Sequence, residues 1–140
     1  MSSALLNVCV DPRLNHEALR DQLMQRLDVP VPTNRVFVVG EVGGNYGSAA
    51  RNTIALLNRQ RDQIVLAGVL HHDDCLAAAA GMRQAMAPTA KALEEALREA
   101  GFRCPVLTGT IITETSTIVW ADRPPKSFEV LNFRMPRMYG

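Results

Sequence analysis

Three side chains in this sequence combine metal-ligand chemistry with a spacing that could bring them together: Cys9, His72 and Cys75. Cys9 lies at the end of a short apolar run, LLNVCV, while His72 and Cys75 follow a second run, QIVLAGVL, as HHDDC. Two thiolates and an imidazole suit Zn²⁺, which takes sulfur and nitrogen ligands in tetrahedral geometry. Three protein ligands leave a fourth position for water or for a closing side chain. The H-x-x-C pair spans a tight turn into a helix, a spacing that can place both residues on one ion. His71 is one residue off and should point away, so His72 is the expected ligand. A helix starting at Cys75 would also favour its thiolate. Taken singly, Cys9 and Cys75 could each be an ordinary small buried residue. Taken together, with a histidine three residues before one of them, they favour a metal site. Cys104, beside Pro105, has no partner motif and reads as core packing.

Asp11 and Arg13 share the loop after Cys9 at alternate positions. A carboxylate paired with arginine stays ionised and is held in one orientation. Beside a metal-activated water, Asp11 could accept a hydrogen bond and aim a lone pair at a substrate. It could equally move onto the metal and close the fourth position, or be an ordinary surface pair with Arg13 worth about 0–1 kcal/mol. Pro12, between the two, fixes φ and should stiffen the loop. Asp73 and Asp74 read as turn and helix-capping residues. The stretch GEVGGNYGS contains neither G-x-x-x-x-G-K-[ST] nor G-x-G-x-x-G, so it is not read as a phosphate loop. Its glycines Gly43, Gly44 and Gly47 are expected to let backbone pass close to the site. His16 is expected on a solvated helix face.

These residues need elements that converge. Leu5–Val10, Arg35–Gly40 and Gln63–Leu70 read as strands, the last apolar throughout, as expected when both faces are covered. Asn15–Leu27 shows helical spacing of Ala18, Leu19, Leu23, Met24 and Leu27, ended by the prolines that follow. Ser48–Arg59 reads as a helix, and Cys75–Gly101 as mostly helical with Pro88 restarting it. Pro105–Thr113 and Thr117–Ala121 are two further strands. Strands alternating with helices predict an α/β fold, helices on both faces of a mainly parallel sheet. Ligands in such sheets sit beyond the carboxyl ends of the strands at a switch point, where Cys9 and the HHDDC turn would meet if their strands are neighbours.

At 140 residues the chain is expected to form one zinc-binding α/β domain over 1–121 with a C-terminal extension over 122–140. That extension contains three prolines among Phe, Leu, Met and Tyr, and either lies along a surface such as a partner subunit's or is a loosely ordered tail. Fifteen basic and 14 acidic residues give a net charge of +1, which argues against nucleic acid or an anionic membrane as partner. No apolar stretch approaches the about 20 residues that span a bilayer. The opening MSSALLNV runs directly into a strand pattern, so no secretory leader is expected. Three cysteines cannot all pair internally, and reduced thiols in a cytoplasmic setting are expected, free for metal binding or catalysis.

C-x-D-x-R at Cys9, Asp11 and Arg13, followed by H-x-x-C at His72 and Cys75, resembles the β-class carbonic anhydrases. VFVVGEVGGNYGSAARNTIALL is similar to that family's strand, R-N-A-G-N-type turn and helix, and QIVLAGVLHHDDC to its strand leading into H-[ST]-D-C. The resemblance runs from about Leu5 to Leu97. It implies Zn²⁺ held by Cys9, His72 and Cys75, with Asp11 and Arg13 as the catalytic dyad. It implies a sheet of strand order 2-1-3-4 with an added edge strand, and a homodimer or higher homo-oligomer. The implied reaction is reversible hydration of CO2 to bicarbonate by water that zinc has acidified, with His71 as a candidate proton acceptor. Two positions depart from the family pattern: Leu76 stands where a glycine usually follows the second metal cysteine, and the turn reads G-E-V-G-G-N, without its arginine. Relatives with the same ligands hydrolyse CS2 or COS, and a catalytically silent zinc-binding assembly protein is the third reading.

Overall fold

The structure, a computed structural model, describes residues 1–26 and 31–121. The C-terminal extension over 122–140 and the end of the first expected helix lie outside the described residues.

β1 (Ser2–Cys9) is central, and its residues from Ser3 to Cys9 are all buried. β2 (Val36–Glu41) pairs with it in parallel on one side and β3 (Gln63–His72) in parallel on the other. β4 (Val106–Ile112) continues the sheet in parallel, and β5 (Thr117–Trp120) turns back antiparallel to form the edge. The order is therefore β2-β1-β3-β4-β5, the expected 2-1-3-4 arrangement with its edge strand. Each parallel step requires a crossover, and the sequence supplies a helix at each one.

Those helices cover both faces, giving three layers. α1 (His16–Met24) packs Leu19 and Leu23 on one face with Leu6, Val8, Leu66 and Leu70. α2 (Ser48–Arg59) and α4 (Met86–Glu99) pack Ile54, Leu57, Leu93 and Leu97 on the other, against Leu5, Ile64 and Val69. Burial on both faces explains why β1 and β3 read as continuous apolar runs rather than alternating ones. Asn15 caps α1 by accepting the Ala18 N–H at 3.1 Å, a contact worth about 1 kcal/mol.

The sequence-based boundaries shift where the chemistry lies. β3 extends through His71 and His72, which pair with Thr110 and Ile111 of β4, so the histidines are inside the strand rather than beyond it. β4 reaches far enough to give both residues a partner. The long helix expected over Cys75–Gly101 is two: a single turn, α3 (Leu76–Ala79), and α4. Gly81, at φ 73°, turns the chain between them. Asn45 pins the intervening loop, donating from Nδ2 to the Met82 carbonyl and accepting the Gln84 N–H, both at 2.8 Å. Pro88 falls in the first turn of α4, where its missing N–H breaks no helical bond.

Candidate metal centre

Parallel pairing puts the carboxyl ends of β1 and β3 side by side, and the turn after β3 folds back over them. Cys9 comes from the first, His72 from the second and Cys75 from the turn. Their ligand atoms all lie within 4.8 Å of one another. All three side chains are buried, with residue exposures of 5%, 2% and 7%. A buried imidazole and two buried sulfurs facing one point form a donor set matched to a soft, tetrahedral cation.

The hydrogen bonding of His72 fixes which nitrogen faces that point. Thr113 Oγ1 donates to the Asp73 carbonyl at 2.6 Å, so it accepts from His72 Nδ1–H at 2.9 Å. The ring is thereby assigned the tautomer with a lone pair on Nε2. Nε2 is buried and has no hydrogen-bond partner. An orphaned buried acceptor is costly unless something else satisfies it, and between two thiols a metal ion would. Asp73 stabilises the arrangement by accepting the Thr113 N–H at 2.7 Å, a bond that also lowers its own pKa.

Asp11 and Arg13 form the expected pair. Asp11 Oδ1 accepts the Arg13 backbone N–H at 2.9 Å and Nε–H at 3.1 Å, and Oδ2 accepts from an Arg13 terminal nitrogen at 2.7 Å. These side-chain bonds outweigh partial burial and lower the Asp11 pKa to about 2. Asp11 Oδ2 stands 3.9 Å from His72 Nε2, so the ionised carboxylate borders the ligand set. Cys9 and Asp11 line a cleft of about 430 Å³ whose other walls include Val10, Val42, Leu76 and Met82. Asp11 is the one charged residue among those lining it.

No family model and no curated protein matches the sequence. Solved structures do match in shape. The β-carbonic anhydrase CafA of the fungal pathogen Aspergillus fumigatus superposes with a TM-score of 0.55 at 14% identity, over 96% of this chain and 82% of that one. The fold is that of a β-carbonic anhydrase. A carbonic anhydrase from Streptococcus mutans gives a TM-score of 0.50 at 12% identity, over 85% of this chain and 81% of that one.

Within this β-carbonic-anhydrase fold the glycine turn is a spacer. Gly43 and Gly44 both take positive φ, 67° and 73°. A Cβ on Gly44 would come within 3.2 Å of the Leu70 carbonyl and 3.5 Å of the Cys9 nitrogen, so the turn runs close to β1 and β3. Buried Asn7 holds it there, donating from Nδ2 to the Gly44 carbonyl at 2.7 Å. The turn is no anion cradle: the Glu41 carboxylate takes the Ala49 N–H at 2.7 Å and fills the N-terminus of α2 itself.

Strand alternation sends His71 to the opposite face from His72, as its position predicts. There burial, reinforced by the charge of Arg83, lowers its pKa to about 4. His71 is not among the residues lining the cleft. Cys104 packs beside the α2–α4 core, as expected.

Two contributors escape sequence reasoning. Thr113 sits 41 residues from His72, and only strand pairing brings it alongside. Asp74 does not cap α3: it takes Arg13 with its side-chain Oδ2 and with its backbone carbonyl, each at 2.8 Å. The only signal for either was adjacency, Asp74 to Cys75 and Thr113 to the end of a strand.

Proposed function

We propose that this chain holds one zinc ion on Cys9, His72 and Cys75 and catalyses the reversible hydration of CO2 to bicarbonate, as a lyase. The observation that carries the reading is the buried, unpartnered Nε2 of His72 between two thiols, with an ionised Asp11 at 3.9 Å. Zinc bound there would lower the pKa of a coordinated water towards about 7 and so would supply a nucleophile at neutral pH.

The chain's own residues do the rest. Thr113 holds His72 in the ligating tautomer. Asp11, kept ionised by Arg13, has lone pairs to accept a hydrogen bond from the attacking water and to orient it towards carbon. The arginine pairing supports this orienting role over closure of the site by Asp11. Val10, Val42, Leu76 and Met82 give the small neutral substrate an apolar approach. The proton leaves through solvent.

The same four side chains are largely exposed and form an apolar rim, which favours a homodimer whose partner borders the rim and leaves the cleft mouth open. Cys9 and Cys75 are free thiols, which suits a reducing, cytoplasmic setting. The apolar cleft equally admits CS2 or COS, so a hydrolase of those molecules is the second reading.

Stopped-flow CO2 hydration by zinc-loaded protein tests the first. The reading predicts a zinc-dependent rate well above buffer at about pH 7 and higher above about pH 8. No rate at either pH removes it. Turnover of CS2 or COS in its place would establish the hydrolase, and silence on all three would leave a zinc-binding assembly protein.

A further inference from the structure

Arg13 serves two carboxylates. Its Nε and one terminal nitrogen bind Asp11, its other terminal nitrogen binds Asp74 Oδ2, and the shared terminal nitrogen also reaches the Asp74 carbonyl. Asp11 and Arg13 are two residues apart in one loop, so their pairing can travel with that loop. Asp74 belongs to the other loop, immediately before Cys75. Arg13 is therefore a strut between the loop that follows Cys9 and the turn that leads into Cys75, and Asp74 is its far anchorage.

Asp74 itself adopts φ 52°, in the left-handed region. That conformation costs energy for most side chains, and aspartate and asparagine tolerate it best after glycine. The turn thereby directs its carbonyl and its carboxylate to the same guanidinium.

We propose that Asp74 is a positioning residue: through Arg13 it sets where the Asp11 carboxylate stands relative to His72 and the two cysteines. This rests on the reading of Asp11 as the group that orients the attacking water. Without Asp74 the Asp11–Arg13 pair survives as a local contact, but its loop loses its tie to the turn that supplies Cys75. The carboxylate is then correctly charged and poorly placed.

Asp74→Asn tests this, because asparagine tolerates the same backbone and removes only the charge; Asp74→Gly, which suits positive φ, serves if the first variant folds poorly. Zinc should stay at one per chain. Solvent exchange of the Arg13 Nη1–H, which donates to Asp74 Oδ2, followed by ¹⁵N NMR, should speed up by about tenfold as the strut loosens. In turnover, kcat should fall by about tenfold with KM unchanged, a loss of orientation rather than of binding. In an Arg13→Gln background the same Asp74 substitution should have no further effect, since the route through Arg13 is already cut. Unchanged Arg13 exchange, or an Asp74 effect of equal size with and without Arg13, overturns the proposal. If the wild-type protein hydrates no CO2, the function assigned above fails, while the exchange measurement still decides whether Asp74 holds the strut.

Discussion

An Arg–Asp pair stands at each end of the parallel sheet, and the two are built for different purposes. At the amino ends of the strands, Arg35 binds Asp62, whose carboxylate also accepts the Ser3 hydroxyl at 2.9 Å and the Gln63 N–H at 2.8 Å. The Asp62 side chain is 3% exposed and that of Arg35 21%, and the guanidinium lies over the Phe37 ring. No buried side-chain atom of these residues lacks a partner. At the carboxyl ends, Arg13 and Asp11 are more open, 44% and 9% exposed, and Asp11 borders a cleft and the orphaned nitrogen of His72. The pairing chemistry is the same. What differs is the neighbourhood: a saturated, closed network can only hold strands together, whereas a pair beside an unsatisfied ligand set can act on what binds there.

That contrast can be broken by mutation, the largest effect coming from the closed pair. Asp62→Ala leaves a largely buried guanidinium without its carboxylate and should cost on the order of 3 kcal/mol of stability in urea denaturation. Zinc content of the surviving folded protein should not change. Asp11→Asn should do the reverse. Stability stays within about 1 kcal/mol, because the pair is partly exposed. CO2 turnover falls by about a hundredfold, a barrier increase of about 2.7 kcal/mol, with zinc retained. Intact activity in Asp11→Asn would remove the dyad from the mechanism. Thr113→Val deprives His72 Nδ1–H of its acceptor and should weaken zinc binding by about tenfold, about 1.4 kcal/mol, in competition with a chelator. Unchanged affinity would show that the tautomer is held by something else.

The smallest effect is one of pH. Burial lowers the His71 pKa from its usual 6.5 to about 4. Between those values the unfolded chain binds a proton that the folded chain does not, so His71 makes stability rise with pH across that window and fall on acidification. In metal-free protein, His71→Asn should flatten the dependence between about pH 6.5 and about pH 4. An identical slope in the variant would show that His71 ionises freely in the folded state.

The fold and the convergence of Cys9, His72 and Cys75 were legible in the sequence for one reason. Strands covered on both faces read as apolar runs, and in a parallel sheet the residues at their carboxyl ends meet. Cys9 and HHDDC were visible as endings of such runs, and the helix read over Ser48–Arg59 has those bounds in the structure. What sequence could not show is what depends on strand register. The extension of β3 through His72 required β4 to reach Ile111, and the support from Thr113 required the same pairing. Asp74 was misread because capping is the common role of aspartate at a helix start, while its actual partner lies 61 residues away. The split between α3 and α4 falls at Gly81, and Asn45 holds the loop that follows, a tertiary contact that local spacing does not reveal.

The central claim is that Cys9, His72 and Cys75 close on one zinc ion. X-ray absorption at the zinc edge of the purified full-length protein tests it most directly, read beside metal analysis. Purified protein should carry about one zinc per chain, with two sulfur neighbours at about 2.3 Å and a nitrogen at about 2.0 Å, all lost in Cys75→Ser. Absence of zinc from protein prepared with it, a shell without sulfur, or stoichiometric zinc retained in Cys75→Ser would contradict the account.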